Sequence, residues 1–433
     1  MTQTKRIATQ AGWGMAGQTF SSLTNFALGV AVARSVPPEQ FGAFSIALVT
    51  YWLALNVSRA LATQPLLIRY SGSAAAVWRS ALADASGAVS VAGVIGGVAC
   101  IVVGWIAGNT LGEAFVALGL GLPGLLLRDN LRYAFFAERR ARSAIVNDLA
   151  FAALLFVAIG LCVLLGNASV FRLVLSLSVA ASAAAVFGSV QSGVWPRPLR
   201  AATWWRDQAD LGSRYIAEAL TGLGAGQLAT YGIGMVAGLA AVGAIRAAEI
   251  VLGPVNIVLQ GLGLMSLPEG VRLLRTSPRR LRDACALLSL ALCAGALLCG
   301  AAALLLPPEI GRALLGANWE PARGVLVPMA FVLAGTGVVS GAQTGLRALA
   351  AANRSLQARL VSAVLSPIAA ITGAGLGGAS LAAWGLAVVG AVSAVMWWWQ
   401  FAIALREHEP ELVAATVYTA AAPQPHGYGR IDG

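Results

Sequence analysis

Apolar segments, each about as long as a bilayer is thick, follow one another through the 433 residues. There are about twelve, at about 10–33, 41–67, 81–107, 113–136, 143–165, 169–191, 212–236, 240–267, 284–306, 323–348, 357–377 and 379–404. A helix rises 1.5 Å per residue, so ~20 apolar residues cross a hydrocarbon core of ~30 Å. No water reaches the backbone there, so every N–H and C=O must be bonded within the protein. Segments of this length satisfy that as helices. The expected fold is an all-α polytopic membrane protein, with about twelve transmembrane helices in two six-helix bundles around a central cavity.

Composition agrees. Hydrophobic residues make up 58% and charged residues 11%, against about half and a quarter in soluble chains. That excludes a soluble enzyme, a disordered chain and a nucleic-acid-binding domain. Both histidines, His408 and His426, follow the last apolar segment. A histidine-based zinc site or a Ser-His-Asp triad within the membrane body is therefore excluded. No GxxxxGK[ST] phosphate loop occurs, and neither a cofactor nor a metal is expected. Cys100, Cys162, Cys285, Cys293 and Cys299 lie in apolar runs without CxxC spacing and read as small hydrophobes. The first apolar stretch, Ala11 to Ala33, exceeds the roughly 7–15 residues of a signal-peptide core and reads as a retained span.

Orientation follows from basic residues in the connecting loops. With the N-terminus inside, the inner segments hold 18 Arg and Lys and the outer ones four, Arg34, Arg172, Arg312 and Arg323. That bias supports the span count and cytoplasmic termini, and the expected location is the plasma membrane. Trp13, Trp195 and Trp397-Trp398-Trp399 fall near inner span ends and Trp105 near an outer one, as interfacial anchors do.

The chain divides near its middle. Expected units are an N-terminal six-helix bundle (1–195), a cytoplasmic interfacial linker (196–211), a C-terminal six-helix bundle (212–404) and a disordered cytoplasmic tail (405–433). Phe41-Gly42-Ala43-Phe44 opens span two and Val242-Gly243-Ala244-Ile245 opens span eight. Leu131-Arg132 with Arg139 near the end of span four resembles Leu346-Arg347 with Arg354 near the end of span ten, an offset of 215. A duplication of six spans keeps both copies in one orientation around a central cavity.

Ionisable groups within spans cost at least ~2.5–3.5 kcal/mol each on insertion scales and usually face a bundle interior or a wet cavity. Arg59 lies ~27 Å from the outer start of span two, and Arg128 and Arg132 ~22 and ~28 Å down span four. Arg347 is matched to Arg132 by the repeat. Arg246 lies nearer the outer face. Arg128 and Arg132, at i and i+4, share a helix face, with Asp129 and Asn130 turned away or at its edge. Arg246 and Glu249, and Arg214 and Glu218, are spaced to pair, and Glu218 and Glu249 are candidate ion-pair or coupling groups. Asn25 and Asn56 either line the cavity or bond between helices. The candidate substrate-binding residues are thus Arg59, Arg128, Arg132, Arg246, Arg347, Asn25 and Asn56. An arginine-lined cavity suits an anionic substrate, since guanidinium forks engage phosphate oxygens in pairs. Snorkelling to the inner headgroups is the competing role for the same arginines.

The opening Ala11-Gly12-Trp13-Gly14 and the run Val32-Ala33-Arg34-Ser35-Val36-Pro37-Pro38-Glu39-Gln40-Phe41-Gly42 resemble bacterial polysaccharide flippases. These belong to the multidrug/oligosaccharidyl-lipid/polysaccharide exporter superfamily. Their pattern is a first span ending Ala-Arg, then Pro-Glu-[Glu/Asp/Gln]-[Phe/Tyr]-Gly before the second. Val36-Pro37 stands here where Leu-Gly is common. The resemblance covers about 400 residues in layout and about the first 45 in motif. It implies a transporter that flips a lipid-linked pyrophosphate oligosaccharide or polysaccharide precursor from the inner to the outer leaflet by alternating access. Its implied partners are the lipid-linked glycan, the bilayer, and glycosyltransferases or a polymerase of the same pathway.

The alternative within the superfamily is a drug or small-molecule exporter, for which acidic cavity groups are expected. A major-facilitator transporter is disfavoured, because Ser71 to Arg79 lacks the Gly/Asp/Arg signature of that loop. A membrane enzyme ranks last, because the longest outer loop, about Pro307 to Pro321, carries neither His nor Asp.

Overall fold

A computed structural model describes residues 3–254, 269–274 and 276–421; the side chains of 3–16, 18, 217–225 and 409–421 lie outside what it describes. All regular structure among the described residues is helical. The helices are α1 (Gln3–Ser35), α2 (Pro38–Ser58), a π-turn (Arg59–Thr63), α3 (Gln64–Tyr70), α4 (Ala75–Ala107), α5 (Thr110–Ala137), α6 (Ala141–Leu164) and α7 (Val170–Ser192). Then come α8 (Ala201–Asp207), α9 (Ala209–Ala237), α10 (Leu239–Val251), α11 (Pro278–Leu304), α12 (Pro308–Leu315), α13 (Trp319–Arg323), α14 (Leu326–Ala348) and α15 (Ala352–Ala421). Among the described residues eight helical stretches are long and apolar enough to cross a membrane, and one of them runs through Gly377 and Gly378, whose backbone angles are not helical. The protein is an all-α polytopic membrane protein.

Local chemistry sets the turns. The Asn109 side chain accepts from the Leu111 and Gly112 amides and caps α5. Ser169 caps α7 in the same way. The break expected at Gly166-Asn167 is present, with Gly166 at φ +66°. Van der Waals packing and small residues bring the helices together, because lipid is as apolar as a leucine side chain. Gly97 of α4 and Gly119 of α5 pack so closely that a Cβ on either would stand 2.5 Å from the other's carbonyl oxygen.

Below, the arginine-rich face is the one carrying Arg139, Arg140, Arg197 and Arg354, and the other is the opposite face. At the opposite face α2 crosses α10 at the two openings read as repeat partners. A Cβ on Gly42 would lie 1.8 Å from the Leu239 carbonyl oxygen, and one on Gly243 2.6 Å from that of Pro38. The two openings thus meet each other. Beside them Asn318, buried, donates to the carbonyls of Ala33 and Val36 at 2.6 and 2.9 Å. It binds the last turn of α1 from 282 residues away in sequence.

Three expectations change. The polar stretch from 405 does not leave the helix there: Leu405 is buried and Glu407 pairs with Arg354, so α15 runs on to Ala421. Residues 422–433 lie outside the described residues. The tryptophan run is not a uniform anchor: Trp397 is core, Trp398 donates to the Val338 carbonyl at 3.1 Å, and only Trp399 is exposed. The linker is docked. The Arg197 amide donates to the Ala83 carbonyl at 3.0 Å, and the Arg197 and Arg200 side chains reach Asp84.

Candidate functional site

Five side chains of the π-turn, α5 and α6 converge near the arginine-rich end of the first half. The Arg59 fork engages Asp129 with both arms, Nε to Oδ2 at 2.8 Å and Nη2 to Oδ1 at 2.7 Å. Asp148 accepts from two arginines, Arg128 Nη2 at 2.5 Å and Arg132 Nε at 2.9 Å. The Asp148 side chain is 4% exposed and that of Asp129 10%. Each guanidinium also lies over a ring: Arg59 over Tyr133, Arg128 over Phe151 at 3.8 Å and Arg132 over Phe136. A carboxylate and an aromatic face together compensate charges drawn out of water. The Arg128 Nε is buried without a partner among the described residues.

Two adjoining cavities join this cluster to the second half. The smaller, about 100 Å³, is lined by Arg59, Arg128, Arg132, Asp129 and Asp148 of the first half and Arg246 of α10. The larger, about 550 Å³, shares Asn25, Trp52 and Arg246 with it. Its far wall is apolar: Ile250, Leu252, Met329, Val332 and Leu333. Arg246 pairs with Glu249 at 2.8 Å, as their spacing predicted. By count, three guanidiniums of the first half face two carboxylates, and Arg246 and Glu249 cancel. One positive charge remains.

Six of the nine sequence candidates thus bear on these cavities: Arg59, Arg128, Arg132, Arg246, Asn25 and Glu249. Asn56 does not line them; its amide donates to the Trp52 carbonyl one turn back, at 2.7 Å. Arg347 is exposed in the last turn of α14 and lines neither cavity. The side chain of Glu218 lies outside the described residues.

The structure gives the reason for Arg347. The α5–α6 and α14–α15 turns share one hydrogen-bond pattern, Arg140 N–H to Phe135 and Arg139 N–H to Phe136 in the first, Ala351 N–H to Leu346 and Ala350 N–H to Arg347 in the second. Arg139 and Ala350 both adopt positive φ. Matching these turns gives an offset of 211 (350 − 139), not 215. Arg347 then corresponds to Phe136, one turn nearer the helix end than Arg132.

Sequence reasoning missed the two acids. Asp129, expected away from the Arg128/Arg132 face or at its edge, finds its partner in Arg59 of the π-turn. For Asp148 a signal existed: α5 and α6 form a hairpin, with Arg132 five residues before the end of α5 and Asp148 seven after the start of α6. Such residues stand at one depth.

Comparison with protein-family models and with curated proteins finds no match. Solved structures do match. A multidrug resistance MATE family transporter of the MOP superfamily, in an inward-facing conformation, aligns over 89% of this chain and 95% of its own, with 13% identity and a TM-score of 0.66. The lipid II flippase MurJ, in an inward closed conformation, aligns over 95% and 93%, with 10% identity and a TM-score of 0.68. A MATE protein in a straight conformation aligns over 93% and 97%, with 16% identity and a TM-score of 0.52. The chain has the fold these proteins share.

Proposed function

We propose that this protein is an alternating-access transporter that moves an amphiphile with an anionic head, a lipid-linked glycan precursor, from the cytoplasmic to the outer leaflet of the plasma membrane. The observation that carries the reading is the meeting of Arg59, Arg128 and Arg132 with Arg246, contributed by both halves, at one cavity. The unpartnered Arg128 Nε and the surplus positive charge call for an acceptor oxygen on an anion. The larger, partly apolar compartment suits a bulkier group than the head. The resemblance of residues 11–42 to polysaccharide flippases supports the same reading, and so does the fold shared with a lipid II flippase.

In this reading the arginine-rich face is cytoplasmic, residues 1–195 and 212–404 rock against each other, and the Gly42–Gly243 crossing with Asn318 closes the outer side. The head would enter among the arginines and displace carboxylate contacts. Rocking would then open the crossing. The head binds in place of existing ion pairs, so its charge need not be desolvated alone.

One observation favours a second reading, export of a small molecule or drug: Asp129 and Asp148 stand among the arginines, and a multidrug transporter shares the fold. A deletion strain separates the two. Lipid-linked precursor trapped on the cytoplasmic leaflet is the result the flippase reading predicts. Unchanged precursor with altered drug tolerance would replace it with the exporter reading.

A further inference from the structure

The π-turn that begins at Arg59 has a cause in the sequence and an anchor in the linker. Pro65 lacks an N–H and cannot donate to the Leu61 carbonyl one turn back. The helix widens instead, and the Gln64 amide reaches the Arg59 carbonyl, five residues back. The Leu61 carbonyl thus receives no backbone donor from position 65. It accepts from the Trp204 indole Nε1–H at 3.3 Å.

Trp204 belongs to α8, the short helix between the halves, and is buried. Its ring lies 5.8 Å from that of Tyr70. Gly212, in the first turn of α9, lies over Ala60 and Leu61. On its other side the π-turn is held to α5: Arg59 by Asp129, and Thr63 Oγ1 by donation to Asn130 Oδ1 at 2.9 Å. Asn130 in turn donates to Ser86 of α4 at 3.1 Å. The turn that aims the cavity arginine is therefore clamped between α5 and the segment that begins the second half.

We propose that Trp204 is a positioning residue for Arg59. Its indole N–H, bonded to the carbonyl that Pro65 leaves free, holds the π-turn in the register that directs position 59 at Asp129 and into the cavity. Movement of the linker and α9 against the first half is thereby transmitted to that position. A role for Arg59 in transport rests on the reading above; the geometric coupling does not.

The neighbouring Trp205 supplies the control, because its Nε1 is buried without a partner among the described residues, so Trp205→Phe breaks no hydrogen bond described there. The test uses the full chain in detergent with its five cysteines replaced by alanine and Arg59→Cys introduced. The rate of modification by a cationic methanethiosulfonate is read. Trp204→Phe should change that rate by about 3- to 10-fold, the equilibrium shift that loss of one buried hydrogen bond produces. Trp205→Phe should leave it unchanged. Pro65→Ala gives Leu61 a backbone donor, so in that background Trp204→Phe should be silent.

Equal rates for Trp204→Phe and Trp205→Phe overturn the proposal. So does a Trp204→Phe effect of the same size with and without Pro65→Ala. If Trp204→Phe alone aggregates, Pro65→Ala must restore a monodisperse protein, and failure to do so is equally fatal. Failure of the transport reading shows separately, as normal transport by Arg59→Ala with the labelling pattern intact.

Discussion

The α5–α6 hairpin and the α14–α15 hairpin turn in the same way, yet only the first holds charge inside. Matched through their turns, Arg128, Asp129 and Arg132 correspond to Val339, Ser340 and Gln343, and Asp148 to Arg359. The second half packs Leu281, Cys285, Leu346, Trp397 and Phe401 at this level instead. The two hairpins thus share a turn geometry, while the ionic cluster stands in the first. What separates the halves is the acid on the following helix. An arginine stays in a span interior where a carboxylate meets it, and Asp148 meets two. Among the described residues Arg347 forms no ion pair with an acid of α15, and it lies at the surface.

Breaking the cluster at its shared acid should have the largest effect. Asp148→Ala leaves Arg128 and Arg132 buried without their carboxylate, and a loss of about 3–5 kcal/mol is expected. Thermal unfolding in detergent measures it, and a shift no larger than that of Arg347→Ala would break the comparison. Moving the first half towards the second sharpens it. The triple change Arg128→Val, Arg132→Gln and Asp148→Asn removes the charges together, and stability should return to within about 1 kcal/mol of the parent. Transport should still be lost, which separates what the cluster does for folding from what it does for function.

The crossing of α2 and α10 offers the next effect. A methyl group at Gly42 must push the Leu239 carbonyl away. Gly42→Ala should cost about 1–3 kcal/mol of the closed arrangement. Faster modification of a cysteine placed at Ser45 would show it, and an unchanged rate would mean that the crossing does not hold that face shut. The smallest effect belongs to Arg347→Ala, with stability within about 0.5 kcal/mol of the parent.

The sequence displayed helices more plainly than partners. Span length and apolarity place nearly every helix, and Gly166-Asn167 and Gly377-Gly378 mark two breaks that local composition alone locates. Arg246 and Glu249 were legible because i, i+3 spacing lies within one helix. Arg59–Asp129 and the sharing of Asp148 were not, because they join different helices and depend on helix rotation. The π-turn shifts that rotation within α2–α3, and its sequence trace was a single proline, Pro65. The offset of 215 failed for a related reason: it matched residue types, whereas equivalent positions are fixed by the hydrogen bonds of the turn.

The central claim is that the cavity shared by the halves receives an anionic lipid-linked head, and Arg246 tests it most directly. Its side chain and that of Glu249 are both partly exposed, at 38% and 44%, so Arg246→Ala should fold normally. In cells carrying Arg246→Ala as their only copy, leaflet-resolved measurement should find lipid-linked glycan trapped on the cytoplasmic side, while Arg347→Ala cells match the parent. Normal glycan distribution in the Arg246→Ala cells, with the protein present at parental abundance, would contradict the account.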